Sequence, residues 1–350
     1  MANMNTRDSI RRIFAVSSAA LLCACAHTPL PDAVRAAGLS GSAPKLPEGA
    51  RIICAEQKSK SAIIFDAAAP DWNRPEAVVF RWSADSAPEI RDSDRVKFAA
   101  LTDCKSVDGG SKILVSASLG GIALVEFPSG KTLFYKSVAA PSETWKDVNP
   151  HSAEMLPDGN IVVASSYGKR NIILLSVPEN ANSPEDIAEF PYEFEGAHGA
   201  VWDGANKILW VVGLNEFAGF EYNFDKKNPA VKKVFSTPME TGGKPFGGHD
   251  LCFAADTRWL FITGDCELRM FDTKTREFKT VETAPNHFKS ISMLPESAGG
   301  AVAVLKPSEN YWSDAVRFYA GDFPIAGRLD GARFYKARWF PEAVRRESSK

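Results

Sequence analysis

HSAEMLPDGNIVVASS, residues 151–166, decides the fold because the same pattern recurs further along the chain. Two later stretches align with it over 16 residues without a gap, and both also begin with histidine: 198–213 (HGAVWDGANKILWVVG) and 249–264 (HDLCFAADTRWLFITG). Each stretch reads as a strand, a turn and a second, apolar strand, which is the pattern of a β-hairpin. The chain therefore repeats one hairpin.

Two further stretches join this repeat through partial matches. DGGSKIL at 108–114 matches the turn DGANKIL of the second histidine unit, which places Asp103 at the histidine position. SISMLP at 290–295 matches SAEMLP of the first histidine unit, which places Lys289 at that position. The residues at the start of the five units are thus Asp103, His151, His198, His249 and Lys289.

Short apolar runs rich in Val, Ile, Phe and Trp recur at intervals near 50 residues from residue 50 onward. No sustained helical periodicity accompanies them, so the chain is predicted to be all-β. This period, with about four strands per unit, is typical of the blades of a β-propeller. We predict one six-bladed propeller over residues 50–342, with seven blades as the alternative. The strand-like segment 332–340 has no blade of its own and is predicted to close the ring by completing blade one.

The repeated histidine position is predicted to lie at one mouth of the channel, because the first strand of each propeller blade lines the channel. The five starting residues would then surround a single pocket, and an Arg or Lys from residues 333–338 is a candidate to complete their ring. The chain has 5 histidines, of which 3 occupy this position. The alternative is a duplicated repeat that keeps histidine merely to hydrogen-bond neighbouring blades.

Imidazole and carboxylate groups that converge in this way suit a divalent metal ion, here Mn, Zn or Ca. The predicted metal ligands are His151, His198, His249 and Asp103. The alternative is a site without a cofactor, in which the three histidines transfer protons near neutral pH and Lys289 neutralises a carboxylate. In either case the three histidines and Lys289 are the predicted catalytic residues.

Aromatic and amide side chains near this position are predicted to bind the substrate. Flat rings stack on the faces of sugars, and four aromatic residues stand in or beside predicted loops and strand ends: Trp145, Trp202, Tyr311 and Trp312. Of these, Tyr311 and Trp312 are predicted to bind the substrate, together with Asn149, which precedes His151 by two residues. For the tryptophans the alternative is an ordinary place in the core. The predicted ligand is an anionic sugar or another anionic small molecule.

The charge of the chain argues against nucleic acid as a partner. The formal net charge is -2, and no block of Lys or Arg occurs after the N-terminal leader, whereas nucleic-acid binding requires a basic patch. The domain is expected to be a monomer.

The first 25 residues have the order of a secretory signal that ends in a lipobox. Arginines at 7, 11 and 12 precede the apolar run 13–22, which leads into LCAC at 22–25. We predict a signal peptide with lipobox at 1–25, lipidation of Cys25, a linker at 26–49 and a polar tail at 343–350. No other run approaches the ~18 apolar residues that cross a bilayer, so the lipid is the only expected anchor. The expected location is the periplasm or the cell surface, with the lipid in the outer membrane. An ordinary cleaved signal is the alternative.

Four cysteines remain after the leader: Cys54, Cys104, Cys252 and Cys266. An even number in an oxidising compartment permits two disulfides. Two of the four stand in apolar strand-like runs, where cysteine also serves as a small buried hydrophobe. Their pairing stays open at this point.

Several separated motifs resemble those of an uncharacterised bacterial family of propeller lipoproteins, labelled only as a domain of unknown function. They are NPHSAE at 149–154, AHG at 197–199, VWD at 201–203, GHD at 248–250, KS at 289–290 and YWSD at 311–314. The resemblance implies a propeller and brings no established activity. More distantly, the histidine-lined mouth is similar to that of propeller polysaccharide lyases, including oligogalacturonate lyases, which use a metal held by histidines. That similarity rests on architecture and residue type, which do not fix function.

Two functions from different classes follow from the predicted mouth. The first is a lyase that acts on a glycan containing uronate, because elimination beside a carboxylate requires a cation, a base and an acid. The second is a noncatalytic surface lipoprotein that binds a glycan or another protein at the same mouth. A hydrolase or lactonase of another class is a third option.

Overall fold

The computed structural model of the protein describes residues 46–255, 258–265, 267–283, 288–319 and 324–341. Cys25 with the predicted signal peptide, most of the predicted linker, Cys266 and the predicted polar tail lie outside the described residues. Within the described residues, strands form six four-stranded antiparallel sheets, and helix is confined to short turns. The prediction of an all-β, six-bladed propeller is confirmed, and the seven-bladed alternative does not apply.

Blades one to three lie between residues 51 and 192, except that the last of the described strands belongs to blade one. Blade one contains β1 (Arg51–Glu56), β2 (Ser61–Asp66), β3 (Val78–Ser83) and β26 (Phe334–Phe340). Blade two contains β4 (Leu101–Val107), β5 (Lys112–Ala117), β6 (Gly121–Glu126) and β7 (Thr132–Ser137). Blade three contains β8 (Pro150–Met155), β9 (Ile161–Ser165), β10 (Ile172–Ser176) and β11 (Ala188–Tyr192).

Blades four to six follow in chain order. Blade four contains β12 (Gly199–Asp203), β13 (Ile208–Val212), β14 (Glu216–Tyr222) and β15 (Val231–Pro238), after which β16 (Glu240–Thr241) and β17 (Lys244–Pro245) form a small hairpin. Blade five contains β18 (Asp250–Phe253), β19 (Trp259–Thr263), β20 (Glu267–Asp272) and β21 (Phe278–Thr283). Blade six contains β22 (Ser290–Met293), β23 (Val302–Leu305), β24 (Ala315–Tyr319) and β25 (Pro324–Arg328). One helical turn, α1 (Asp92–Arg95), and 3-10 turns at Pro75–Ala77, Val96–Phe98, Asp108–Gly110, Pro184–Asp186 and Glu296–Ala298 connect strands.

The innermost strands of the six blades form a closed ring around the channel. In blades two to six the innermost strand is the first strand of the blade, and each contacts the next around the ring. In blade one it is β26, which pairs with β1 at Arg51 to Phe340 and at Ile53 to Arg338. Because β26 also contacts β4 and β22, the C-terminal strand closes the ring as predicted and covers the inner edge of β1.

Apolar side chains hold neighbouring blades together. Between blades four and five, Trp210 stacks on Phe217 with ring centroids 5.3 Å apart and meets the edge of Phe271 at 5.0 Å. All three rings are buried, and burial of one phenylalanine contributes about 1.5–3 kcal/mol. This packing fixes each inner strand relative to the next, so equivalent positions on successive blades face the same region of the channel.

Three inner strands carry an irregularity near the same mouth. The β4 register shifts between Leu101 and Asp103, and the β8 register shifts between Pro150 and Ser152. The pairing of β26 with β1 also shifts, between Cys54 and Glu56. A bulge gives one strand an extra residue and re-aims its side chain. Here it re-aims His151 in β8.

The cysteines that the structure describes are not cross-linked. Cys54, Cys104 and Cys252 are free thiols, and the first two are buried. Burial raises the pKa of Cys54 and of Cys104 well above its ordinary value, which makes both inert. Among the described residues, no helix has the length and apolar character needed to cross a membrane.

Candidate functional site

Three of the residues that the sequence repeat aligned occupy structurally equivalent positions in their blades. The backbone N–H of His198 donates to the Val212 carbonyl at 2.9 Å, that of His249 to Thr263 at 2.8 Å, and that of Lys289 to Leu305 at 2.9 Å. Each acceptor lies near the end of the second strand of its blade. These side chains therefore start from matching points directly before β12, β18 and β22.

A cavity of about 600 Å³ opens at this mouth, within the ~300–1,000 Å³ that is usual for small-molecule sites. Six of the predicted site residues line it: His151, His198, His249, Lys289, Asn149 and Tyr311. The wall also includes Trp145, one of the aromatic residues that the sequence offered for stacking on sugars, and three residues that the sequence did not single out: Gln57, Tyr167 and Tyr335. Tyr335 from β26 takes the place for which an Arg or Lys of residues 333–338 was the candidate.

The three imidazole rings lie side by side along one wall. His151 and His198 stack with ring centroids 4.2 Å apart, and His198 meets His249 edge-on at 5.7 Å. Stacking at this distance disfavours a positive charge on either of the first two rings. The wall therefore presents neutral imidazole from blades three and four.

His198 has a defined tautomer. Its Nδ1 lies 2.7 Å from the Gly196 carbonyl oxygen, which only accepts, so Nδ1 carries the hydrogen and Nε2 carries the lone pair. Burial, together with the nearby His249, lowers the pKa of His198 to about 3, although the Gly196 hydrogen bond opposes this. His198 therefore offers the cavity an unprotonated nitrogen at neutral pH.

His151 is held between two polar neighbours. Its Nδ1 lies 2.8 Å from the Tyr335 hydroxyl, and its Nε2 lies 2.9 Å from Asn149 Nδ2. Burial and the neighbouring His198 keep the pKa of His151 well below its ordinary value, and burial raises the pKa of the Tyr335 hydroxyl. The Asn149 amide oxygen is buried and has no hydrogen-bond partner among the described residues. This acceptor, in the cavity wall, suits a donor on a ligand.

Lys289 places an amine among these rings. Its Nζ lies 3.2 Å from Nδ1 and 3.1 Å from Nε2 of His249, and 5.8 Å from the centre of the Tyr335 ring. His249 Nε2 also lies 2.7 Å from Asp265 Oδ1. Burial lowers the pKa of Lys289 to about 8, while Asp265 opposes this. Lys289 is therefore mostly protonated at neutral pH and loses its proton as the pH rises through about 8.

Asp103 does not belong to this cavity, and its predicted role as a metal ligand at the mouth is not supported. It pairs with Ser116, whereas Ser152 pairs with the equivalent residue Ala164. The hairpin of blade two is therefore one residue longer than that of blade three, so Asp103 matches Ser152 instead of His151. Thr102 takes the histidine position of blade two, and its hydroxyl donates to the Pro150 carbonyl.

Asp103 instead belongs to a buried charge network that fills the channel below the cavity. Arg338 donates to Asp103 from Nε at 2.8 Å, and Lys336 Nζ lies 3.0 Å from Asp250 Oδ1. Arg338 also bonds to Asp250, so one guanidinium joins both carboxylates. Burial alone would raise the pKa of Asp103, but Arg338 and Lys336 outweigh it and hold that pKa well below its ordinary range.

Trp312 does not line the cavity, so the structure does not bring it together with the other predicted substrate-binding residues. It is partly buried, its ring meets Tyr311 edge-on at 4.4 Å, and the Arg333 guanidinium lies 4.8 Å from its ring centre. Trp312 forms an isolated β-bridge with Glu309, and adjacent residues in extended backbone point in different directions. The Tyr311 side chain therefore reaches the cavity, while the Trp312 ring packs against Tyr311 outside it.

The mouth does not fit the predicted divalent metal ion. Among the residues that the structure describes, no group of three or more His, Cys, Asp or Glu side chains is arranged to hold a metal. His198 Nδ1 and His151 Nδ1 are bonded within the protein. The Lys289 amine, within 3.2 Å of both His249 nitrogens, places a positive charge where a second cation would have to bind.

No curated protein matches this chain. A family model does match it, over residues 13–345, and its description is a family of unknown function, DUF6528. The match includes the six blades, the histidine wall and Lys289. The chain belongs to the DUF6528 family.

Proposed function

We propose that the mouth binds the carboxylate of an acidic sugar and that the protein acts on uronate-containing or other anionic glycans by β-elimination. One observation carries this proposal: the cavity combines a cation, Lys289, with an unprotonated imidazole nitrogen, His198 Nε2. These are the groups needed beside a carboxylate whose α proton is to be removed.

Three features of the wall support an acidic sugar as the ligand. Lys289 is a positive charge at a mostly buried position, where a carboxylate would be bound by a charge-assisted hydrogen bond. The amide oxygen of Asn149, which has no hydrogen-bond partner within the part of the chain that the structure describes, accepts a hydrogen bond from a sugar hydroxyl. Tyr311 is 48% exposed and offers a flat face to a sugar ring.

In the sugar, the proposed reaction breaks one C–H bond and one C–O bond and forms one carbon–carbon double bond. The lone pair of His198 Nε2 takes the proton on the carbon next to the carboxylate, and Lys289 stabilises the negative charge that develops on the carboxylate. The electron pair forms a carbon–carbon double bond to the neighbouring carbon, whose bond to the glycosidic oxygen breaks. Tyr335, whose hydroxyl adjoins His151 Nδ1, gives that oxygen its proton.

The second candidate function is binding without turnover by a surface lipoprotein. The observation that favours it is the low pKa of His198, about 3, because an efficient general base has a pKa nearer the working pH. A bound carboxylate would raise this pKa by partly neutralising Lys289. Catalysis therefore depends on how far the ligand restores the basicity of His198.

We also propose that the protein is exported and anchored by lipid at Cys25. The leader with its LCAC sequence at 22–25 supports this placement. A propeller at the cell surface or in the periplasm would meet extracellular glycans, which fits the proposed ligand.

Incubation with oligouronates separates the two functions. Elimination creates a double bond conjugated to the carboxylate, which is followed by ultraviolet absorbance and by the mass of the shortened products. We expect His198→Gln to lose turnover and keep uronate binding, and Lys289→Met to lose both. Binding without any unsaturated product identifies the noncatalytic function, and the absence of binding to every acidic sugar tested would contradict both.

A further inference from the structure

The mouth cavity is closed at its inner end. Four charged residues from three inner strands fill the channel below the histidines, and each residue is at most 6% exposed: Asp103, Asp250, Lys336 and Arg338. Their ion pairs bind β4, β18 and β26 together. None of the four lines the mouth cavity. A long ligand therefore cannot pass through the channel. It can only insert one of its own ends into the cavity.

A second cavity, of about 900 Å³, adjoins the mouth cavity and lies between blades two and three. We call it the trough. Leu119 and Trp145 lie in the walls of both the mouth cavity and the trough. Trp145 is 47% exposed and meets the ring of Tyr167, also 47% exposed, edge-on at 5.7 Å. Exposed rings at such a junction suit the faces of sugar units.

The charged side chains of the trough balance one another. Four are basic and four are acidic: Arg91, Lys97, Lys136 and Arg170, against Asp94, Glu143, Glu185 and Glu189. Many are already paired, as Arg170 is with Glu189 at 3.2 Å and Arg91 with Glu185 at 2.6 Å. A polyanion would meet as many carboxylates as cations, so the trough is suited to an uncharged polar chain.

We propose that the trough is a second subsite, which holds the neutral part of a glycan whose single acidic end unit occupies the mouth. This rests on the proposed binding of a carboxylate in the mouth. The blind cavity requires an end unit, the Lys289 amine requires that unit to be acidic, and the balanced trough favours neutral sugars beyond it. Trp145 at the junction stacks on the second unit.

Calorimetric titration of the whole domain with three probes tests this subsite: a free uronic acid, a homo-oligouronate, and a neutral oligosaccharide that carries one uronate at its end. We expect the third probe to bind about tenfold more tightly than the free uronic acid, as one further stacked ring contributes. The homo-oligouronate is expected to gain less than the mixed oligosaccharide. Binding is expected at one protein per chain end, whatever the chain length.

Trp145→Ala is expected to remove the gain, which is the ratio of the affinities for the mixed oligosaccharide and for the free uronic acid, both measured on the same variant, so that any effect of this wall residue on the free acid cancels. Phe224→Ala is the matched control, because Phe224 is also 47% exposed and lies outside both cavities. Equal affinity for the free acid and the mixed oligosaccharide, or an unaltered gain in Trp145→Ala, would overturn the subsite. Several proteins bound along one homopolymer would overturn entry by the end. Failure of the free acid to bind refutes the proposed function itself.

Discussion

The variant Lys289→Met tests whether Lys289 serves ligand binding or the stability of the fold. Burial lowers the pKa of Lys289 from its ordinary 10.5 to about 8, so holding it protonated at pH 7 costs the folded state about 3 kcal/mol. Methionine has a similar length and flexibility and carries no charge. We expect the variant to be more stable than the wild type by about 2–3 kcal/mol at pH 7 and to lose its affinity for uronates.

The difference in stability between the wild type and Lys289→Met is expected to depend on pH. The pKa in the folded state lies below that in the unfolded chain, so the unfolded chain binds more protons between about pH 8 and 10.5. Stability of the wild type relative to the variant therefore rises across this window. The advantage of the variant should be complete below pH 8 and vanish near pH 10.5.

Urea unfolding at pH 7 and near pH 10 measures this difference. The midpoint should be higher for Lys289→Met at pH 7, with an unchanged dependence on urea concentration, and the two proteins should converge at the higher pH. Lys227→Met is the matched control, because Lys227 is exposed, and it should shift neither midpoint. A variant that is less stable at pH 7, or whose advantage does not change with pH, would show that Lys289 is part of the scaffold.

Three further perturbations test the frame around the site. Arg338→Met should cost about 3–5 kcal/mol in urea unfolding, because it leaves the carboxylates of Asp103 and Asp250 buried without their shared guanidinium; a neutral effect would mean that the network contributes little. Truncation before residue 332 should expose the inner edge of β1 and cause aggregation in light scattering, and a monomeric truncated domain of full stability would refute the closure. Cys25→Ser should release the protein from the membrane fraction or leave it unprocessed, so membrane retention of a processed variant would contradict the lipid anchor.

The gap-free repeat carries most of what the sequence could predict. A hairpin that recurs without insertions must occupy the same place in successive blades, so His198 and His249 start from matching points. Lys289 also starts from that point, although the turn of its hairpin is two residues longer, because the SISMLP match aligns the first strand of its blade. The same reasoning predicted closure by the C-terminal strand, because one blade lacked an inner strand.

The errors arise where the repeat is irregular. One extra residue in the hairpin of blade two moves Asp103 out of the mouth, and no local signal in the sequence reveals it. Tyr335 lies on β26, which has no hairpin of its own, so the repeat gave no register for it. Trp145 and Tyr167 reach the cavity from loops that do not repeat, and their positions depend on packing between blades.

The most direct test of the mouth as a carboxylate site is the affinity of the domain for glucuronate or galacturonate between pH 6.5 and 9.5. Because Lys289 must be protonated to bind and its pKa is about 8, the association constant should be level below that pH and fall about tenfold per pH unit above it. Lys289→Met should bind weakly at every pH. No binding by the wild type, or an affinity that is independent of pH and equal in both proteins, would contradict the account.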